Sequence, residues 1–146
     1  MGILTGQKGL IVGIANERSI AHGIARACVE HGASVALTYQ NERLAKRVKP
    51  IAEELGADIV LPCDLMDPSA VEAVVARLEQ EWGKLDFLVH AVAFAEREDL
   101  EGRFVDTSLD GFRTAMDVSV YTLVSLTRAC ESLLQRAEGG AAVLTL

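Results

Sequence analysis

The sequence predicts a doubly wound α/β fold, in which helices cover both faces of a parallel sheet. Three observations lead to this fold class. Short apolar runs alternate with helical patterns along all 146 residues. The runs are almost continuously apolar, as in strands that are buried on both faces. Helix-capping residues and glycines separate the segments. Since crossover connections between parallel strands are right-handed, we expect a five-stranded sheet in the order 3-2-1-4-5.

The elements follow one another in a regular β-α alternation. Strands are predicted at 10–12, 34–39, 58–61, 85–91 and 141–146, and helices at 19–31, 41–55, 67–82 and 108–138. Asn41, Asp67 and Ser108 are typical N-caps, and Gly56 and Gly83 are typical helix ends. Pro50 falls inside the second helix and is expected to kink it.

Helical spacing also predicts which faces are buried. The first helix is expected to pack through Ile20, Ile24, Ala27 and Cys28. The last helix is expected to pack through a longer series, namely Phe112, Met116, Val120, Leu123, Val124, Thr127 and Leu134.

Composition narrows the function classes. The chain has 14 basic and 21 acidic side chains, and therefore a net charge of −7. Such an acidic chain is not typical of proteins that bind nucleic acid or anionic membranes. It contains neither an apolar run of membrane-spanning length nor a signal peptide, so we expect a cytoplasmic protein. Three widely spaced cysteines are expected to be free thiols, and no metal site is predicted.

The first strand leads into the most informative stretch. The apolar run 10–12 ends at Gly13, a short loop follows, and Ser19 opens a helix. A strand that turns through glycine into a helix N-terminus is how many α/β proteins bind a dinucleotide pyrophosphate. An ordinary strand-to-helix turn with Ser19 as its N-cap is the alternative. Replacing Gly13 with valine is expected to weaken cofactor binding more than the fold.

The carboxyl ends of the other strands supply further polar or small residues at the same edge. Gln40 follows the second strand and could hydrogen-bond a ribose or adenine, or be a surface loop residue. Arg43 lies close enough to pair with a 2′-phosphate. Asp64 follows the third strand and could accept from an adenine amino group or begin a turn. The small residues 91–93 follow the fourth strand and would allow close approach of a nicotinamide ribose, or simply pack there.

Several motifs together carry a family resemblance. They are Gly13-Ile14-Ala15 with Ser19-Ile20-Ala21, Thr38-Tyr39-Gln40-Asn41, Cys63-Asp64-Leu65, His90-Ala91-Val92-Ala93-Phe94-Ala95 and Asp117-Val118-Ser119. In these motifs the whole chain resembles the bacterial enoyl-[acyl-carrier-protein] reductases, a divergent branch of the short-chain dehydrogenase/reductase superfamily with a Rossmann-type fold.

The resemblance implies roles for individual residues. Gly13, Ser19 and Ile20 would hold the pyrophosphate side of NADH, Gln40 would contact the adenosine ribose, and Asp64 and Leu65 would flank the adenine. Val92 would lie beside the nicotinamide half, and Ala95 near the acyl substrate.

The implied reaction is hydride transfer from NADH (NAD) to a trans-2-enoyl thioester carried by acyl carrier protein, in fatty-acid synthesis. The family also implies a homo-oligomer, a tetramer. Ala91 stands where the family usually has serine. The family's catalytic tyrosine and lysine would follow Leu146, so no catalytic residue is expected within this chain. Residues 1–146 are then expected to be the amino-terminal, dinucleotide-binding part of a longer reductase, truncated after the fifth strand.

Two other functions stay open on the sequence. One is a different short-chain reductase that acts on a carbonyl or alcohol. The other is a dinucleotide-binding module without catalysis, because the catalytic groups are missing and an apolar strand at an open sheet edge could pair with another chain.

Overall fold

The computed structural model describes residues 2–146. Its centre is a five-stranded sheet in the order β3-β2-β1-β4-β5, with every neighbouring pair parallel. The strands are β1 Lys8–Val12, β2 Ser34–Tyr39, β3 Ile59–Pro62, β4 Phe87–His90 and β5 Ala142–Thr145. The predicted fold class and strand order are therefore confirmed, and strand boundaries differ from the predicted ones by at most two residues.

Five helices connect or flank the strands. They are α1 Ile20–Glu30, α2 Glu42–Leu55, α3 Pro68–Glu81, α4 Leu109–Met116 and α5 Thr122–Leu134. The predicted caps form hydrogen bonds: Asn41 accepts from the Leu44 N–H and Asp67 from the Ser69 N–H. Helix α2 continues through Pro50 to its end. None of the helices in residues 2–146 is long and apolar enough to cross a lipid bilayer.

Side chains that alternate along the strands bury two separate cores, one on each face of the sheet. Ile11 packs against α1 and α2, whereas its neighbours Leu10 and Val12 pack against α3 and α5. The central strands are thus buried on both faces, which is why their sequences are continuously apolar.

The buried face of α1 differs from the predicted one. Ala21 and Ala25 are its fully buried residues, while Ile24 and Cys28 are only partly buried. Ile20 is 71% exposed and Ala27 is also exposed, so the prediction for these two residues is wrong. Small residues on the buried face let the helix lie close to the sheet, where a larger side chain would not fit.

The predicted last helix is interrupted by a π-helical turn, Asp117–Tyr121, between α4 and α5. Across this turn the exposed residues keep a spacing of four, so the same side of the helix faces solvent before and after it. The buried side chains of α5 are Leu126, Cys130, Leu133 and Thr122. The predicted apolar face is therefore wrong at Phe112, Met116, Val120 and Val124, which are all between 43% and 55% exposed.

His90 connects three elements at the end of β4. Its ring is fully buried, with Nε2 2.8 Å from Thr122 Oγ1 and Nδ1 3.1 Å from Thr145 Oγ1. Because the Thr122 hydroxyl donates to the Val118 carbonyl, it can only accept from His90, so we assign the proton to Nε2. Neutral His90 then satisfies both ring nitrogens inside the core.

We expect His90 to make folding stability sensitive to acid. Burial lowers the pKa of His90, so the folded state resists protonation more than the unfolded chain does. The contribution of His90 to the free energy of unfolding should be fully present above the unfolded-state pKa of about 6.5 and should decrease as the pH drops below it. Denaturant unfolding at several pH values measures this. His90→Gln should flatten the slope of the free energy of unfolding against pH between about pH 6.5 and 5. His31→Gln, a substitution at an exposed position, should not flatten it. Equal slopes in wild type and His90→Gln would contradict the assignment.

Candidate functional site

A cavity of about 310 Å³ opens at the carboxyl edge of the sheet, where β1, β2, β3 and β4 end. We call it the edge cavity. It is lined by residues from each strand end together with one residue from α2 and one from the π turn, namely Val12, Gly13, Ile14, Ala15, Thr38, Gln40, Leu44, Cys63, Asp64, Leu65, Met66, Ala91, Val92, Ala93, Phe94 and Val118. In doubly wound folds this crevice is where ligands bind.

Gly13 shapes the floor of the edge cavity. Its φ of +112° is a conformation that side-chain-bearing residues rarely adopt. A Cβ atom at this position would also collide with the backbone carbonyl of Ala91. Gly13 is therefore required by the fold itself, and we expect Gly13→Val to disturb the fold as well as cofactor binding.

Ser19 lies behind the turn rather than in the cavity wall. Its hydroxyl oxygen accepts hydrogen bonds from the backbone N–H groups of Ala15, at 2.9 Å, and Asn16, at 3.1 Å. It does not cap α1 with its side chain, although it occupies the N-cap position. Its contribution to the site is to hold the loop between Gly13 and α1 in shape.

The N-terminus of α1 follows this loop, with Ile20 exposed and Ala21 buried. The first helical N–H groups, those of Ile20 and Ala21, donate to no acceptor within residues 2–146. Such N–H groups, together with the helix dipole, favour an anion at this end. The exposed Ile20 side chain adds an apolar surface at the same position.

The β2 and β3 ends form a second wall. Gln40 is exposed and directly follows β2. Asp64 Oδ1 accepts from the Met66 N–H at 3.0 Å, so this carboxylate stabilises the turn that leads to α3. Leu65 follows Asp64, also lines the cavity and supplies an apolar surface. An aromatic ring bound here would lie near the amide of Gln40, the carboxylate of Asp64 and the apolar side chain of Leu65.

Cys63 lines the cavity, but its thiol is not reactive. Burial, reinforced by the negative charges of Asp64 and Asp67, raises its pKa to about 11. Burial likewise raises the pKa of Cys130 to about 12. Both thiols are therefore neutral near pH 7 and are poor nucleophiles. Within the part of the chain that the structure describes, no group of three or more metal-binding side chains is present.

The third wall is the irregular segment that follows β4. It is held by Ser119, whose hydroxyl accepts from the Phe94 N–H at 3.0 Å and lies 3.1 Å from the Phe94 carbonyl, to which it donates. One side chain in the π turn thus satisfies both backbone groups of Phe94. Beside it, Val118 closes the cavity.

The structure brings five of the eight predicted site residues into one cavity: Gly13, Gln40, Asp64, Leu65 and Val92. Ser19, Ile20 and Ala95 do not line it: Ser19 and Ile20 occupy the N-cap and first positions of α1, and Ala95 directly follows the lining residue Phe94.

The prediction missed two contributions. Thr38 lies two residues before Gln40 in β2, where strand alternation could have found it, and Cys63 lies between the end of β3 and Asp64. Val118 and Ser119 depend on the π turn, which the hydrophobic pattern does not reveal.

Known proteins share this architecture and sequence. A family model described as enoyl-(acyl carrier protein) reductase matches residues 13–146. An enoyl-[acyl-carrier-protein] reductase [NADH] of Rhizobium meliloti is 46% identical over 99% of this chain and 52% of its own length. The reductase of Anaplasma phagocytophilum, solved in complex with NAD, is 46% identical with a TM-score of 0.92, over 99% of this chain and 55% of that one. The reductase structure of Aquifex aeolicus is 44% identical with a TM-score of 0.92, over 99% and 56%.

This chain spans about half the length of the relatives that it matches. Within that half the agreement is continuous, because the matched region runs from the glycine turn after β1 to the end of β5. The chain therefore belongs to the enoyl-[acyl-carrier-protein] reductase family.

Proposed function

We propose that this chain carries the cofactor-binding half of an NADH-dependent reductase. The enzyme would reduce trans-2-enoyl thioesters on acyl carrier protein in cytoplasmic fatty-acid synthesis. One observation carries the proposal: four strand ends converge on an edge cavity whose glycine turn and helix N-terminus suit a dinucleotide. The NAD complex of the similar Anaplasma reductase supports the choice of cofactor.

The pyrophosphate would lie against the turn at Gly13 and the N-terminus of α1. The free N–H groups of Ile20 and Ala21 would donate to its oxygens, and the helix dipole would favour its negative charge. Ser19 would act indirectly, because its hydroxyl is already bonded to two N–H groups of the loop.

The adenosine would occupy the wall built by the β2 and β3 ends. Gln40 would hydrogen-bond the ribose, Asp64 would accept from the adenine amino group, and Leu65 would pack against the ring. Asp64 Oδ2 accepts no hydrogen bond from residues 2–146, which leaves it for such a contact.

The nicotinamide half would lie against the segment after β4. NADH supplies the hydride when bound, and the protein positions it. Val92 would form the apolar wall beside the ring, and Ala95, next to the Ser119-bound Phe94, would lie towards the acyl substrate. Ala91 offers no hydroxyl to the cofactor, so this contact would rest on packing alone.

We assign no catalytic residue to this chain. Its two tyrosines are Tyr39, which is buried in the core against α2, and Tyr121, which is 53% exposed on the π turn. Neither lines the edge cavity. Residues 1–146 would thus act as one dinucleotide-binding domain that provides the cofactor site only.

We further propose that the protein assembles with copies of itself through the exposed apolar face of α4 and α5. This face carries side chains that the sheet does not cover, namely Leu109, Phe112, Met116, Val120, Tyr121 and Val124. A series of this length along one helical column is typical of an interface rather than of a solvated surface. A tetramer, as the family resemblance implies, would bury it.

We expect the chain to bind NADH about tenfold more tightly than NADPH. Glu42 directly follows the Gln40-Asn41 pair and would repel a 2′-phosphate, while Gln40 offers it no positive charge. Arg43 opposes this effect. Fluorescence titration of both cofactors measures the ratio. Equal or tighter NADPH binding would show that Gln40 does not face the adenosine ribose.

Ser19→Ala should lower NADH affinity about five- to tenfold, because two loop N–H groups lose their acceptor and the phosphate turn loosens. Ser108→Ala is the matched control: it removes a hydroxyl that accepts from the Gly111 N–H, away from the edge cavity. Titration and thermal unfolding of both variants separate binding from stability. Unchanged affinity in folded Ser19→Ala would remove this turn from the phosphate site.

The 146-residue chain alone should reduce a crotonyl thioester at least about two orders of magnitude more slowly than a full-length relative. A missing oxyanion donor by itself costs about 3–4 kcal/mol. NADH oxidation measures turnover, and light scattering on the same sample should show a species larger than a monomer. Turnover near that of a complete enzyme would place catalytic groups within these residues, and a monomer would contradict the proposed interface.

A further inference from the structure

The basic side chains of this chain fall into two groups. Eight of the fourteen form ion pairs with carboxylates. The other six have no carboxylate within ion-pair distance among residues 2–146. Arg18 precedes α1, and four lie within α2: Arg43, Lys46, Arg47 and Lys49. The sixth, Arg128, is on α5 across the sheet.

Three of these five cations, Arg18, Lys46 and Arg47, lie together near the edge cavity. A second groove of about 500 Å³ lies beside it, lined by Arg18, Lys46 and Arg47 together with Asn16, Glu17, Pro50 and Ile51. We call this the basic groove. Ala15 lines the edge cavity and the next residue, Asn16, lines the basic groove, so the two openings adjoin at this loop. Arg47 is only about 4.5 Å along the helix axis from Leu44.

The charge of the chain is divided accordingly. Residues 13–51 contain six basic and three acidic side chains, a net charge of +3. The remaining residues contain eight basic and eighteen acidic side chains, a net charge of −10. A dinucleotide pyrophosphate approaching at random would meet mostly repulsion, except at this face.

We propose that the basic groove is an electrostatic approach surface that guides the anionic cofactor into the edge cavity. This inference rests on the proposed NADH function. Lys46 and Arg47 are exposed and lie outside the edge-cavity lining, so they would act on the encounter rather than on the bound state. Lys46 and Arg47 form no ion pair with a carboxylate among residues 2–146, so no neighbouring negative charge cancels their electrostatic field.

Steering of this kind has a defined kinetic signature. It raises the association rate, leaves the dissociation rate unchanged and fades with salt, since the screening length falls from about 30 Å at 0.01 M to about 3 Å at 1 M. NADPH, with one more phosphate, should be steered at least as strongly. Its weaker binding should therefore come from faster dissociation.

The test compares two charge-matched double variants by stopped-flow NADH fluorescence. Lys46→Gln/Arg47→Gln should lower the association rate about three- to tenfold at about 0.02 M salt, with less than about a twofold change in dissociation. Arg77→Gln/Arg128→Gln removes the same charge from α3 and α5, on the other face of the sheet, and should change association less than about twofold. At about 1 M salt all three proteins should associate at similar rates.

Three results would overturn the proposal. An equal loss in both double variants would mean that only net charge matters. A loss that persists at high salt, or that appears in the dissociation rate, would mean direct contact with the bound cofactor. If the wild-type chain binds no NADH at all, the proposed NADH-binding function is wrong, and the steering proposal is overturned with it. Thermal unfolding of the variants confirms that each is folded.

Discussion

The site depends on the close approach of two strand ends. At Gly13 the chain leaves β1 with a positive φ and passes directly over the carbonyl of Ala91, where β4 ends. A side chain at this point would push the two ends apart. Without that contact the turn after β1 and the segment after β4 would not form opposite walls of one cavity. The same glycine therefore sets both the fold and the shape of the cavity.

Strong local signals explain why most of the fold could be predicted from the sequence. Asn41 and Asp67 form the caps that their side chains predict, and β2 has the predicted limits. The strand order follows from right-handed crossovers rather than from any single residue. Four predicted residues, Gln40, Asp64, Leu65 and Val92, reach the cavity because the topology brings the carboxyl ends of parallel strands to one edge.

The failures come from choices that hydrophobic spacing alone cannot make. Phe112, Met116, Val120 and Val124 form one apolar column that keeps its spacing through the π turn, but the sheet is covered by another side of the helix, at Thr122, Leu126 and Cys130. At the start of α1, Ile20 is exposed because Ala21 takes the position against the sheet. Ser19 resembles an N-cap, yet its hydroxyl bonds to Ala15 and Asn16, a choice that only the three-dimensional turn decides.

The π turn also explains how the far wall of the cavity is kept in place. Inside the widened turn the Thr122 hydroxyl donates to the Val118 carbonyl and accepts from His90, which ties the turn to the end of β4. His90 in turn reaches Thr145 in β5. Within the same turn, the Ser119 hydroxyl forms hydrogen bonds with both the N–H and the carbonyl of Phe94. π turns are frequent at functional sites, and here the turn gives an irregular loop a fixed position. The segment that would face the nicotinamide is thus held by side-chain hydrogen bonds from a neighbouring helix rather than by strand pairing of its own.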